Sequence, residues 1–564
     1  MRRSSAVLVA RSLAALAFAL HLLAQPEPLV AQSSAGVGDD AVPVPARGSR
    51  IRIGGLWSSY DQRFAPSTNG GSKKGGLYDG FARESFGVAD LPTLAPAESN
   101  IRGLSGLASF SLSLGGLEAQ GDASKSVVPF QLDLGITNRL FVTVVVPYVE
   151  TTSNSRFVLN RGGQGASVGI NPARATSSAR SANTTVVQQI ATSRIALTAE
   201  IARCANVAET GGGCTAIRAN PTGALALLAD AATFGTQLGA LYGTSEVAGA
   251  PVVPISQSTV QKAIEDRLAG FRTQFIGFGS NTLDATSRPV GATSIYGSTG
   301  LQALAQDSAF GLAHDSLANG GRAGMGDIDV AATFLWLNTG SVTQYDRLNL
   351  SRRALRSSVT GGFRFGTATG GRSGSPFDLP TGDGASAILV KSTTDFVWDR
   401  TKWVSGTVRY IKPLSDNVVT RFPVIGDSTL FRPFIELAAE RSLGARTEIE
   451  IAPRFGIGRS FALSAAYTLS RQGESTLRAD ELNLVDPLFT GFGPSTYSAP
   501  ALTFQAVQFG AAYSTLSAFS RGNSRWPLEI VYSHGLTLAG SGGIVPAASF
   551  DRIELRIYTR FPRR

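Results

Sequence analysis

The chain has 564 residues, a formal charge of +10 and only 16% charged residues, with 63 glycines and 8% aromatics. Its arginines stand singly rather than in runs, which leaves no basic stripe for a nucleic acid to follow, and a mean hydropathy near zero excludes a charge-rich disordered chain. The composition suits a glycine-tolerant β protein with two kinds of face, either roughly three or four soluble domains or one large closed architecture.

Arg2 and Arg3 precede an apolar run from Leu13 to Leu23 interrupted only by His21, the pattern of a secretory signal peptide over residues 1–31, with Ala24 and Ala31 as cleavage points. The run falls short of the roughly 18–20 apolar residues that a spanning helix needs. Gln32 to Arg47, rich in Ala, Pro and Gly, reads as part of a mobile periplasmic lead-in over 32–50, and Tyr60 to Asn100 reads as a long loop.

A period-two alternation of apolar with polar or small residues then recurs. The first barrel strands are expected within 51–150: Phe110, Leu112 and Leu114 alternate with serines, and Phe130, Leu132, Leu134 and Ile136 alternate with Gln131, Asp133, Gly135 and Thr137. Residues 151–323 break the rhythm. There Leu225, Leu228, Ala231, Ala232 and Leu238 follow a helical spacing, as do Val260, Ala263, Ile264 and Leu268 after the cap candidates Ser256 and Ser258. This partly helical insertion is either an external cap or a plug in the lumen; Cys204 and Cys214, the only cysteines of an exported chain, are expected to pair within it.

The remaining strands are expected over 324–564. Ile328, Val330, Ala332, Phe334 and Trp336 oppose Asp327, Asp329, Ala331, Thr333 and Leu335. Arg356 and Arg364 lie in the next alternating run, Arg409 follows, and Glu448, Glu450 and Arg454 oppose Ile449, Ile451 and Phe455. At the end Arg552, Glu554, Arg556 and Arg560 oppose Ile553, Leu555, Ile557 and Phe561. The segments approach the about 9–11 residues of a tilted strand crossing a bilayer, and an open edge in lipid would strand unpaired backbone groups. The expectation is therefore an all-β transmembrane antiparallel barrel of about 12–14 strands, even in number, in the outer membrane of a Gram-negative-type bacterium. A count between Trp403 and Leu469 comes out one strand out of step near Gly456 to Arg459.

The charged parity, Asp327, Asp329, Arg356, Arg364, Arg409, Glu448, Glu450, Arg454, Arg552, Glu554 and Arg556, is expected to line a solvated lumen whose mixed signs would tune ion selectivity. Asp327 and Asp329 also have the spacing of an acid/base pair or of metal ligands, but a solvated wall is the plainer role. Gly165-Ala-Ser167-Val-Gly169 matches a nucleophile elbow without its strand-turn-helix context, and Thr381-Gly-Asp-Gly384 is a calcium-loop fragment lacking further carboxylates. No cofactor and no metal are expected.

"LGITNRLFVTVVVPYV" (134–149), "GMGDIDVAATFLWL" (324–337) and "PFDLPTGDG" (376–384), in that order, resemble landmarks of the outer-membrane transporters linked to meta-pathway phenol degradation, barrels loosely related to the long-chain fatty-acid transporters. The resemblance implies a monomeric channel or transporter, of porin architecture, for small, hydrophobic solutes. Its partners would be outer-membrane lipid and the barrel assembly machinery, with Phe561 as the assembly signal. An adhesive barrel whose insertion binds an extracellular partner, and a barrel hydrolase, are the readings from other classes.

Overall fold

A computed structural model describes residues 38–66, 72–163, 165–307, 319–340, 353–370, 379–399, 401–421, 436–479, 495–542 and 545–559. The signal peptide, His314, Arg560 and Phe561 lie outside them.

The wall is built of β1 (Ser49–Tyr60), β2 (Leu117–Gly135), β3 (Leu140–Leu159), β4 (Ile328–Asn338), β5 (Ala354–Phe365), β6 (Ala387–Val397), β7 (Lys402–Pro413), β8 (Arg446–Ile457), β9 (Phe461–Gln472), β10 (Leu502–Ser514), β11 (Leu528–Ser541) and β12 (Ser549–Thr559). Each pairs antiparallel with its neighbour in chain order, and β1 pairs with β12, Ser49 opposite Thr559, so the sheet closes on itself with twelve strands. Closure removes every sheet edge, which is what lets a sheet stand in lipid. A further strand, Asn319–Met325, runs into β4 through a kink at Gly326-Asp327 and continues the pairing with β3.

The alternation read from the sequence sets the two faces, except that the run Phe110, Leu112 and Leu114 forms no wall strand and is buried in the helical core instead. Ile553, Phe334, Ile449 and Phe455 are exposed on the outside, whereas Arg552, Glu554 and Arg556 between them are buried. Aromatic residues mark two levels of the outer face: Trp336, Trp398, Phe461 and Tyr513 toward one end, Trp57, Tyr148, Tyr410 and Tyr532 nearer the other. An apolar band between aromatic girdles, on a closed barrel with a charged interior, is the surface of an outer-membrane barrel.

The tightest connections, β2–β3, β6–β7 and β8–β9, gather at one end, here the turn side. Asp399 Oδ1 accepts from the backbone N–H groups of Thr401 and Lys402 to close β6–β7, and Gly458, at φ +65, turns β8 into β9. Two full strands therefore flank Gly456 to Arg459, and the apparent slip in the count disappears: the chain climbs on β7, descends on β8 and climbs again on β9.

The other end, the loop side, carries a helical cap. It combines α1 (Ala95–Ser105), α2 (Ser177–Cys204), α3 (Cys214–Ala219), α4 (Pro221–Tyr242), α5 (Thr259–Gly277) and α6 (Gly300–Gln306) around one apolar core. Ser258 caps α5, its hydroxyl accepting from Gln261 N–H. The stretch expected as a plain loop from Tyr60 to Asn100 contributes Leu77, Tyr78, Phe81, Phe86 and Leu94 to that core and leads into α1. The cap is anchored on β2 and β3, which at 19 and 20 residues extend past the other wall strands and lend it Leu117, Ala119, Ala123 and Leu159. Cys204 and Cys214 form a disulfide joining α2 to α3.

Candidate functional site

The lumen is filled from the turn side. Residues 38–48 do not hang below the barrel as a lead-in; they climb inside it from the start of β1. Their close contact with the wall begins at Gly135, where an added Cβ would lie 1.8 Å from the Pro45 carbonyl oxygen. Arg47 N–H bonds the Gly135 carbonyl, Ala46 N–H bonds Asn138, and Ala41, Val42 and Val44 are buried. Higher up, Ala41 N–H donates to Asp395 and Asp39 N–H to Glu450, while Arg454 Nη2 donates to the Asp39 carbonyl at 2.8 Å. The Asp39 carboxylate takes Arg409 at 2.9 Å and Lys391 at 3.2 Å. A segment of Pro, Val, Ala and Gly thus occupies the lumen because the Asp39 carboxylate at its tip meets cations from distant strands.

The wall charges are packed rather than solvated. Asp133 receives Arg50 at 2.7 Å and Arg52 at 3.2 Å, together with Gln131 and Thr143. Arg409 bridges Asp39 to Glu448; Glu554 holds both Arg552 and Arg556; Arg556 also faces Glu529 at 3.8 Å. Arg364 binds Asp329 through two nitrogens. Arg454 and Arg556 are among the largest fully buried side chains. The expected lining residues Arg356, Arg364, Arg409, Glu448, Glu450, Arg454, Arg552, Glu554, Arg556 and Asp329 all lie on the inner face of the wall. The expectation of a solvated face is corrected, because a barrel of this strand number leaves little space once long arginines interleave and a segment enters.

Between that segment and the strands β1 to β7 there remains a cavity of about 110 Å³. Val42, Phe141, Val145, Leu389 and Ile411 supply its apolar lining, Thr333 and Thr360 share a hydroxyl bond of 2.8 Å on its wall, and Asp39, Arg52 and Arg364 edge it. Above it, Leu56, Val127, Val149 and Phe550 form an apolar layer inside the barrel.

The wall is interrupted beside that layer. Ile53 pairs with Phe130 and Leu56 with Val127, but Gly54 and Gly55 find no partners in Val128 and Pro129. Pro129, which has no N–H to offer, faces Pro147 on β3, and at the same level the pairing of β3 passes from β4 to the strand 319–325 at the Gly326-Asp327 kink. Outside, Trp57 lies against Gly55, where an added Cβ would fall 2.4 Å from the indole.

Asp327 and Asp329 do not act as a pair. Asp329 belongs to Arg364, while Asp327, in the kink, accepts the N–H groups of Ala368 at 3.1 Å and Asp383 at 2.9 Å. The fragment Thr381 to Gly384 is half of this contact rather than a calcium loop. Ser167 is no elbow nucleophile: its hydroxyl accepts Ser113 N–H and donates to backbone carbonyls of Ser111 and Ser113.

Sequence reading missed Asp39, Asp40, Arg50, Arg52, Asp133, Lys391 and Glu529. The alternation of Arg50 and Arg52 with Ile51 and Ile53 was a signal for the two inner arginines on β1; nothing in the sequence marks Asp39.

No family model and no curated protein matches the chain. Among solved structures it is similar to the COG4313 outer membrane channel from Pseudomonas putida F1, at 8% identity and a TM-score of 0.36, over 93% of this chain and 99% of that one. It is also similar to the P. putida toluene transporter TodX, at 8% identity and a TM-score of 0.27, over 92% and 91%. A Pseudomonas aeruginosa FadL homologue is similar at 7% identity and a TM-score of 0.27, over 94% and 97%. The barrel assignment takes nothing from these likenesses and rests on the strand ladder and the sidedness of the wall.

Proposed function

We propose that this barrel passes small apolar solutes across the outer membrane along its inner wall rather than conducting hydrophilic solutes through an open pore. The observation that carries the reading is the apolar layer of Leu56, Val127, Val149 and Phe550 lying directly inside the interrupted pairing at Gly54-Gly55. A polar solute gains nothing at such a layer, whereas an apolar one recovers about 25 cal/mol per Å² of surface it hides from water. The filled lumen supports the same reading, since the segment 38–48 and the paired charges take the room that bulk water would need. The missing ladder pairs and the side-chain-free Gly54 and Gly55 make this a thin place in the wall, with Trp57 as its outer cover.

Proteoliposomes test it. Naphthalene entry should outpace that of a sugar of similar size, and Phe550→Asp, which sets a carboxylate in the apolar layer, should slow naphthalene several-fold while leaving the heat-sensitive gel mobility of a folded barrel intact. Equal entry of sugar and naphthalene, or unchanged naphthalene entry in Phe550→Asp, would overturn the proposal.

A further inference from the structure

The contact between Asp327 and the 381–384 stretch differs in its chemistry from the rest of the interior. Asp327 is buried in the kink before β4, outside the wall strands, and its two carboxylate oxygens receive N–H groups from both ends of the connection that joins β5 to β6. Hydroxyls complete the contact. Thr367 donates to the Gly326 carbonyl at 2.7 Å and Thr381 to the Met325 carbonyl at 2.9 Å, while Thr369 N–H donates to Thr381. The packing is tight: a Cβ on Gly382 would sit 2.8 Å from Asp327 Oδ2 and 2.6 Å from the Ala368 methyl. The same connection reaches the cap, because Leu379 lies in the cap core and its carbonyl accepts from Thr151 of β3.

One element of this contact is out of balance. Asp383, whose N–H serves Asp327, brings a second carboxylate into the same place, and its Oδ1 is buried without a hydrogen-bond partner among the described residues. The charged groups facing the pair are few. Arg364 on β5 is committed to Asp329 on β4 and stands 3.9 Å from Asp383 Oδ2; Arg441, bound to Asp416, reaches only the Asp383 carbonyl; Arg322 is spent on the Gly370 carbonyl. The Asp383 carboxylate therefore lies beside the Asp327 site, and the one cation near its oxygens, Arg364, is already paired with Asp329.

We propose that Asp327 and Asp383 together form a proton-binding site, and that the proton they share fastens the β5–β6 connection to the wall and the cap. With the proton in place one carboxyl is neutral and an O–H becomes available beside the unpartnered Asp383 oxygen; without it two like charges face each other in a buried site. Burial, and then the Asp383 carboxylate, push Asp327 up to about 6. The sign follows from that direction. A carboxyl raised above its unfolded value binds its proton more tightly in the fastened state, so the contribution is fully present below the unfolded value and is lost as pH rises through about 6. The clasp is tight in acid and loosens toward neutrality.

The test is pulsed amide hydrogen exchange on the full chain in liposomes, read at Ala368 and Asp383 and corrected for the intrinsic rate. In the wild type, protection at pH 5 should exceed that at pH 7.5 by about tenfold, because a carboxyl raised to about 6 holds its proton at the first pH and has released it at the second. Asp327→Asn, which keeps the shape and removes the titrating group, should make protection independent of pH; Asp383→Asn should move the step to lower pH. His534, the one histidine among the described residues, lies on the outward face of β11 beside Asp551 and reports on neither amide. Equal wild-type protection at the two pH values, or a step that survives Asp327→Asn, would overturn the proposal. Should the Asn variants fail to insert, the wild-type step alone decides, and a midpoint outside about 5–7 counts against it.

Discussion

Leu555 and Arg556 are consecutive residues on β12 and meet opposite media. Leu555 points outward, and Leu555→Arg should cost about 2–4 kcal/mol by placing a guanidinium near the bilayer midplane. From the alternation alone, Arg556 belongs to a watery lumen, where Arg556→Gln would alter selectivity at little cost. The structure reverses that expectation: Arg556 is fully buried between Glu554 and Glu529, with Tyr558 also bonded to Glu529. Removing one partner leaves buried carboxylates uncompensated, so Arg556→Ala should cost about 3–5 kcal/mol, at least as much as the lipid-facing change. Urea unfolding of both variants in detergent checks the order. If Arg556→Ala proved the milder substitution, the lumen would be wetter than its contacts indicate.

At the scale of elements, the insertion shows how a helix can hide from a periodicity search. The buried face of α2 is Ala179, Asn183, Val186, Ile190, Ser193, Leu197 and Cys204, a regular helical spacing in which Asn and Ser take apolar positions. Asn183 is there because its amide donates to the Tyr242 and Gly243 carbonyls at the end of α4, and Ser193 because it bonds Thr282. In α4 the same positions are apolar or glycine, and in α5 all are apolar except Gln261, which is why their spacing is legible. The disulfide acts within this unit alone. It closes a sequence separation of 10 residues between α2 and α3, and losing such a loop constraint should cost the cap about 2–3 kcal/mol without touching the barrel ladder. Cys204→Ser with Cys214→Ser should therefore speed proteolysis around residues 205–220 and leave the unheated barrel's gel migration unchanged. A change in that migration would show that cap and wall fold as one.

For the molecule as a whole, the segment 38–48 decides the balance of charge in the lumen. Asp39 answers Lys391 and Arg409, so Asp39→Asn should weaken its seat, remove the carboxylate that holds Lys391 and leave Arg409 with Glu448 alone. Planar-bilayer recordings should then show higher conductance and a several-fold rise in chloride over potassium permeability, because field in a narrow low-dielectric lumen follows its fixed charge. Unchanged conductance and reversal potential would mean that the segment stays in place without this pair.

The sequence by itself determined the sidedness of the wall, its antiparallel closure and the strand number within its expected range. Those follow from a period of two read locally, and from the rule that lipid tolerates no open edge. It also marked the cysteine pair and two of the cap helices, each through neighbours in the chain. What only the tertiary structure decided is what fills the space inside. The lumen's occupant, the partners of its arginines and the meeting of Asp327 with Asp383 all join residues far apart in sequence, as Asp39 with Arg409 does across 370 positions. A carboxylate in "GDDAVPVPARG" has the same local pattern whether it hangs in solvent or ends at a buried guanidinium. Only the closed wall, by bringing Lys391 and Arg409 side by side and Arg454 within reach of Asp39, gives that segment somewhere to go.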